Sequence, residues 1–149
     1  MKTFKYTIIV IPLIIWLIGC APKDINQLSE SPKLDAARNI VEAVNAKESE
    51  QYVRDLHEDV IVTMYDGEIR LRRKQAIQAN RENHFQIFPN ARNELVHLVE
   101  IDNRVVMHDK VWLNGNESQP SDIVEIFTFD GDKIVRIDVV QTQGLLENP

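Results

Sequence analysis

Two acidic side chains interrupt the apolar faces of predicted strands in the second half of the chain. Residues 104–113 and 122–129 alternate in polarity, so alternate side chains share one face of each strand. In the strand at 122–129, Glu125 shares its face with Ile123, Phe127 and Phe129. In the strand at 104–113, Asp109 shares its face with Val105, Met107, Val111 and Leu113. If these faces point inward, both carboxyls are buried and their pKa values rise. Two such acids can serve as a protonated donor and an ionised base, so we predict that Glu125 and Asp109 are catalytic.

A purely structural role for the same acids is the alternative. Each carboxylate could pair with Arg70, Arg81 or His84 and simply satisfy its charge inside a small domain. A strand bulge could also turn Asp109 outward, because one extra residue reverses the faces of a strand. The sequence leaves these alternatives open.

Histidines are further candidates, because imidazole transfers protons near neutral pH. His84 and His97 both lie on apolar faces of predicted elements, where their neighbours are Ile77 and Phe88 on a helix, and Leu95, Val99 and Ile101 on a strand. We expect both to point inward, with a structural or surface position as the alternative. The histidines lack metal-ligand spacing and no phosphate-binding loop is present, so the sequence predicts no metal and no cofactor.

The elements that position these residues are predicted as helices followed by strands. Apolar residues at helical spacing predict helices over 34–46, 50–56 and 73–88, with a short strand at 60–64. Alternating residues separated by short turns then predict antiparallel strands at 94–101, 104–113, 122–129 and 133–141. Helices grouped early and a later antiparallel sheet indicate an α+β fold with the helices on one face of the sheet.

Short motifs across residues 34–141 resemble the nuclear transport factor 2-like superfamily, in its SnoaL-like and ketosteroid isomerase-like branch. The motifs are VEAVNA at 41–46, HEDV at 57–60, FPN at 88–90, VEIFTF at 124–129 and DGDKI at 130–134. The resemblance implies a cone-shaped barrel, in which a curved antiparallel β-sheet wraps around the N-terminal helices and encloses an internal apolar pocket. It also implies a homodimer.

The same resemblance bears on the pocket residues. In ketosteroid isomerases, an aspartate that donates to the substrate oxyanion stands where this chain has Glu125, while the catalytic base aligns with Met64 and the oxyanion tyrosine with Ile40. Because two of those three groups are missing, the resemblance argues against steroid isomerase activity. We expect a ligand pocket lined by Met64, Tyr65, His84, His97 and Phe127.

The N-terminus has the features of an export signal. Lys2 and Lys5 precede an apolar run at 7–18, which is shorter than the roughly 20 residues that span a bilayer. Residues 17–20, LIGC, resemble the bacterial lipobox, which implies cleavage before Cys20 and lipidation of its sulfur, giving a stable membrane anchor. The alternative is an ordinary buried cysteine. We predict a signal peptide at 1–19, a polar tether at 20–33, the SnoaL-like domain at 34–142 and a C-terminal tail at 143–149.

Charge and location limit the partners. The chain has 17 basic and 23 acidic side chains, a net charge of −6, so nucleic acid is not expected as a partner. Its lipobox predicts a lipid-anchored protein of the bacterial envelope. In a diderm bacterium, Ala21 would indicate the outer membrane facing the periplasm under the sorting rule for such lipoproteins.

Three functions are compatible with these features. The first is weak acid–base catalysis of the isomerase, cyclase or hydratase type on a small apolar molecule, and the second is binding of such a molecule without turnover. The third is an assembly or protein-interaction module at the envelope. An apolar outer face of the sheet would support the third function and would also form the expected homodimer; it is predicted from Val124, Ile126, Val135, Ile137 and Val139.

Overall fold

The computed structural model describes residues 31–115 and 119–141, which form three helices and one six-stranded sheet. The helices are α1 (Pro32–Ala46), α2 (Ser49–Val53) and α3 (Lys74–Ile87). The strands are β1 (Leu56–Met64), β2 (Ile69–Arg72), β3 (Arg92–Ile101), β4 (Arg104–Trp112), β5 (Ser121–Asp130) and β6 (Lys133–Gln141). The curved sheet has the order β2-β1-β6-β5-β4-β3 and packs against the helices, which confirms the predicted α+β fold.

The sheet is not antiparallel throughout. β1 and β6 run parallel, whereas the other neighbouring strands are antiparallel. The strand β2 was not predicted: it forms a hairpin with β1 around a turn in which Gly67 has a positive φ of 87°. Arg70 and Arg72 therefore lie on an edge strand, and α3 begins at Lys74, one residue later than predicted.

The predictions for the signal peptide, Cys20, most of the tether and the C-terminal tail concern residues 1–30 and 142–149, which lie outside the described residues. Of the helices that are described, none is long and apolar enough to cross a membrane. The first helix begins at Pro32, earlier than predicted, because Ser31 caps it: the Ser31 Oγ accepts a hydrogen bond of 3.3 Å from the Lys33 amide.

The helix α1 provides much of the apolar core, and its C-terminal end is fixed to the sheet side of the domain. Its buried apolar residues are Leu34, Ala36, Ala37, Ile40, Val41, Ala43 and Val44. Lys47 ends the helix in a left-handed conformation, and its ammonium donates to the carbonyl oxygens of Val44 and Ala91. Because Ala91 immediately precedes β3, this cap ties the end of α1 to the loop between α3 and β3.

Strand register arranges rows of side chains on the inner face of the sheet, the face that packs against the helices. Glu125 lies opposite Met107 on β4 and Val139 on β6, and Val139 lies opposite Met64 on β1. The neighbouring row is fully buried and contains Val105, Phe127 and Ile137. Glu125 is therefore the ionisable member of an otherwise apolar row.

An extra residue on β6 reverses part of the predicted outer face. Phe129 pairs with Ile134 and Thr128 pairs with Arg136, so Val135 has no counterpart on β5. The prediction that Ile137 and Val139 lie on the outer face is wrong: Ile137 is 1% exposed, and Val139 packs against the core. Val124 and Ile126 lie on the outer face as predicted, and the exposed apolar side chains there include Val99, Ile101 and Val140.

Candidate functional site

The structure places Glu125 and Asp109 together on the inner face of the sheet. In the β4–β5 register Glu125 pairs with Met107, and Asp109 pairs with Ile123. The two acids are thus diagonal neighbours on adjacent strands, and such neighbours are roughly 7–8 Å apart. No bulge interrupts this part of the ladder, so the alternation seen in the sequence is preserved.

Asp109 is almost completely buried, with 1% of its surface exposed. Its Oδ2 accepts a hydrogen bond of 2.5 Å from the Asn93 side-chain amide, whereas its Oδ1 is buried and has no hydrogen-bond partner. Burial raises the pKa of Asp109 to about 6, although the Asn93 hydrogen bond and the charge of His108 act in the opposite direction. Asp109 therefore offers one free acceptor atom, and it is ionised when the pH exceeds about 6.

A pair of asparagines holds this acid in place. Asn45 near the end of α1 donates its side-chain amide to the Asn93 carbonyl at 2.9 Å and accepts a hydrogen bond from the Asn93 backbone amide at 2.8 Å. Asn93 in turn binds Asp109. Sequence reasoning missed this link, because residues 45 and 93 are brought together only by the packing of α1 on β3.

Glu125 is partly exposed and has the more strongly perturbed carboxyl of the two acids. Burial raises its pKa to about 8, the nearby charge of Asp109 adds to the increase, and Arg81 partly opposes it. In the part of the chain that the structure describes, neither acid forms an ion pair with a lysine or arginine. The two carboxyls therefore titrate as a pair, and the stronger effect of burial on Glu125 favours a neutral Glu125 beside an ionised Asp109 near pH 7.

Tyr52 and Arg81 complete the surroundings of the two acids. The guanidinium of Arg81, on α3, lies 5.1 Å from the centre of the Tyr52 ring, on α2. Burial raises the pKa of Tyr52 to about 12, the charge of Arg81 lowers it, and the charges of Glu125 and Asp109 raise it. We call these four residues the polar cluster: Tyr52, Arg81, Asp109 and Glu125.

His84 lies one turn beyond Arg81 on α3. Its ring centre is 5.0 Å from that of Phe88 and 6.2 Å from that of Phe85, and its Nδ1 is buried without a hydrogen-bond partner. Burial lowers its pKa to about 4, and the charges of Arg81 and Lys47 lower it further. His84 is therefore neutral near pH 7 and presents one polar ring atom among aromatic rings.

The remaining predicted pocket residues divide into two groups. Phe127 is fully buried next to Glu125 on β5, and Met64 lies in the Glu125 row. Tyr65, by contrast, is 71% exposed in the turn after β1, so the structure does not bring it to the polar cluster. Its position follows from the chain leaving the sheet at Met64, where the regular alternation of sides ends.

The inward position expected for His97 is wrong. Val96 is an extra residue on β3, so Leu95 pairs with Asp109 on the inner face while His97 pairs with His108 on the outer face. His97 is exposed, and its ring centre is 5.7 Å from that of His108. His108 in turn contacts Asp122, with 2.8 Å between His108 Nε2 and Asp122 Oδ1.

Within residues 31–115 and 119–141, no group of histidine, cysteine, aspartate and glutamate side chains has an arrangement suited to holding a metal ion. The chemistry that the polar cluster offers is instead that of organic acids and bases. It combines one neutral carboxyl, one carboxylate with a free oxygen, one buried phenol and one guanidinium, and these groups adjoin an apolar face.

Several solved structures share this fold. An uncharacterised cystatin-fold protein from Novosphingobium aromaticivorans is 23% identical, with a TM-score of 0.67 over 72% of this chain and 97% of that chain. A SnoaL-like protein of unknown function from Burkholderia thailandensis is 15% identical, with a TM-score of 0.65 over 77% and 98%. TerC, which was co-crystallised with polyporic acid, is 19% identical, with a TM-score of 0.61 over 75% and 92%.

No curated protein is similar enough in sequence to match the chain. Residues 37–137, however, match the SnoaL-like domain family, and this segment runs from α1 to β6 and includes every member of the polar cluster. The chain therefore belongs to the SnoaL-like domain family.

Proposed function

We propose that the polar cluster binds a small, largely apolar molecule and catalyses weak acid–base chemistry of the isomerase, cyclase or hydratase type. The observation that carries this proposal is the placement of Glu125 and Asp109 on one apolar inner face with separated pKa values of about 8 and about 6. Catalytic acid–base pairs need such a separation, so that one group is protonated while the other is ionised. The co-crystallisation of TerC with polyporic acid supports small-molecule binding by proteins of this fold.

The two acids have different roles in this scheme. Asp109 Oδ1, which has no partner in the structure, accepts a proton from a carbon next to a substrate carbonyl. The electron pair of the broken C–H bond forms a carbon–carbon double bond, the π pair of the carbonyl moves onto its oxygen, and the neutral Glu125 donates a hydrogen bond to that oxygen. In a β,γ-unsaturated ketone, return of the proton from Asp109 to the γ-carbon re-forms the carbonyl and completes an isomerisation.

Binding without turnover is the second candidate, and one observation favours it. Met64 lies in the Glu125 row at the position that aligns with the catalytic base of ketosteroid isomerases, so an apolar side chain faces the ligand where a base would be expected. In that case Asp109 only accepts a hydrogen bond. The two candidates differ in whether a bound ketone exchanges its protons with solvent.

Deuterium exchange distinguishes these candidates. The full chain is incubated with 2-tetralone in D2O, and loss of the α-proton signal is followed by NMR above the background rate. We expect exchange with the unsubstituted protein and loss of it in Glu125→Gln and Asp109→Asn, whereas Glu42→Gln, which changes an exposed acid on α1, retains it. Binding of 2-tetralone without exchange would favour the binding function, and equal exchange in all variants would refute the assigned roles.

We also propose that the protein acts at the bacterial envelope, anchored through lipidated Cys20 in the outer membrane and facing the periplasm in a diderm host. The lipobox-like residues 17–20 support this location. The exposed apolar residues of the outer face support a homodimer through that face, because Val99 and Ile101 are 51% and 58% exposed. The same face supports the alternative of an assembly module, in which a different envelope protein would take the place of the second copy.

A further inference from the structure

Arg81 is a cation without an acidic partner in the polar cluster. Its Nε is buried and has no hydrogen-bond partner, while a terminal nitrogen on the solvent side donates to Asn80 Oδ1 at 3.2 Å. Among the described residues, the ion pairs do not include Arg81. A guanidinium has five N–H donors, and those that are buried are nearly always used in folded proteins. The inward donor of Arg81 is thus left for a group that the chain does not supply.

His84 adds a second unused polar atom on the same side of α3. Residues three positions apart are neighbours on a helix surface, so His84 lies close to Arg81. Its Nδ1 is buried without a partner, and the rings of Phe85 and Phe88 limit the space around it. A neutral imidazole can carry its proton on Nδ1, which would make this atom a second buried donor one helical turn from Arg81.

The apolar inner face continues from these two donors. Arg81 is close enough to Glu125 for its charge to lower the pKa of that carboxyl. The row of side chains that includes Glu125 also contains Met64, Met107 and Val139. A ligand that reached from α3 to this row would meet cationic and donor groups at one end and apolar side chains along the rest.

We propose that Arg81 and His84 bind an anionic oxygen group, so that the substrate class is an amphiphilic organic acid with an apolar skeleton and one carboxylate or acidic enol. This inference rests on the proposed small-molecule site, but it does not depend on turnover. The guanidinium Nε and the imidazole Nδ1 donate to the anionic oxygen, and the skeleton lies over the Glu125 row. Glu125 does not occupy the guanidinium itself, because no ion pair joins the two side chains.

A matched pair of probes and one further acidic probe test this assignment. 2-Naphthoate and 2-naphthamide share one skeleton and differ in charge, and 2-hydroxy-1,4-naphthoquinone presents an acidic enol instead of a carboxylate. Their dissociation constants for the detergent-solubilised full chain are measured by calorimetry and ligand-observed NMR. We expect the protein to bind at least one of the two acidic probes about tenfold more tightly than the amide, the factor typical of one charge-assisted contact. Which acidic probe binds distinguishes a carboxylate site from an enolate site.

Variants identify the side chains responsible. Arg81→Gln should remove the preference for the acidic probes while leaving the affinity for 2-naphthamide within about twofold. Arg81→Lys keeps the positive charge and should retain part of that preference. His84→Phe keeps an aromatic ring beside Phe88 and should lower the affinity for the acidic probes only. Arg70→Gln is the matched control, because Arg70 lies on β2 with half of its side chain exposed and pairs with Glu68.

The outcomes separate this proposal from the proposed catalytic function. Equal affinity for acid and amide, or an unchanged preference in a folded Arg81→Gln variant, would overturn the anion site and leave the two acids as the proposed catalysts. A clear preference for the acidic probe together with an absence of deuterium exchange would retain the anion site and refute catalysis. If no probe binds at millimolar concentration, the anion site is overturned, and the deuterium exchange of 2-tetralone then decides the catalytic function independently.

Discussion

Replacing Glu125 by glutamine should change the pH dependence of stability. The pKa of Glu125 is raised from 4.5 to about 8 in the folded protein, so between these values the folded state holds a proton that the unfolded state has released. The contribution of this group to stability is therefore full below pH 4.5 and is lost as the pH rises to 8. Glutamine has a similar shape and cannot ionise, so the variant lacks this loss.

The size of the effect follows from the same shift. One pKa unit corresponds to about 1.4 kcal/mol, so the full shift would be worth about 5 kcal/mol. Glu125 is partly exposed and shares its protonation with Asp109, and both facts reduce the value that is realised. We expect Glu125→Gln to be neutral at pH 5 and about 2–3 kcal/mol more stable than the unsubstituted protein at pH 9.

Urea denaturation at pH 5 and pH 9 measures this difference. The comparison of the two proteins at each pH removes most of the contribution of Asp109, whose raised pKa acts in the same direction in both. Glu42→Gln serves as the control and should show no such pH-dependent gain. If Glu125→Gln instead loses several kcal/mol at pH 9, Glu125 is ionised and held by Arg81, and the reasoning from burial is refuted.

Three further predictions concern other parts of the chain. Asn93→Ala removes the donor to Asp109 Oδ2, so the pKa of Asp109 in an NMR titration should rise above about 6 and the unfolding free energy should fall by about 1–3 kcal/mol; an unchanged titration would contradict the positioning role. Cys20→Ser should abolish partitioning of the protein into the detergent phase and remove the added lipid mass from its mass spectrum, whereas unchanged partitioning would rule out the anchor. Val99→Asp should convert a dimer into a monomer by light scattering with little loss of stability, because Val99 is 51% exposed on the outer face; an unchanged dimer would exclude that face.

The positions of irregularities in the sheet determine which predictions from the sequence were right. Alternation along β4 and β5 placed Glu125 and Asp109 correctly on the inner face, because their register is continuous. The same rule failed for His97 on β3, where Val96 is an extra residue, and for Ile137 on β6, where Val135 is one. One inserted residue moves all later side chains of a strand to the opposite face of the sheet. Valine is a common strand residue, so the sequence around Val96 and Val135 does not indicate a bulge.

Contacts between distant elements could not be predicted from any periodic pattern. Helical spacing placed Arg81 and His84 on the same side of α3, but it could not show that α2 would bring Tyr52 under the guanidinium. It also could not show that Asn45 would reach Asn93 and thereby fix Asp109. These contacts result from how short helices pack against each other and against β3.

The site residues with different chemical roles lie on different kinds of element. The acids are on strands, whose positions are fixed by ladders of backbone hydrogen bonds, and this rigidity suits groups that must hold a small difference in pKa. The donors Arg81 and His84 are on α3, which packs against α2, β1 and β2 rather than against β4 and β5, the strands that carry the acids. Changes at this helix can therefore alter which anionic group is bound while the two acids stay in place. Substitutions on α3 should change ligand preference, whereas substitutions on β4 and β5 should change proton transfer.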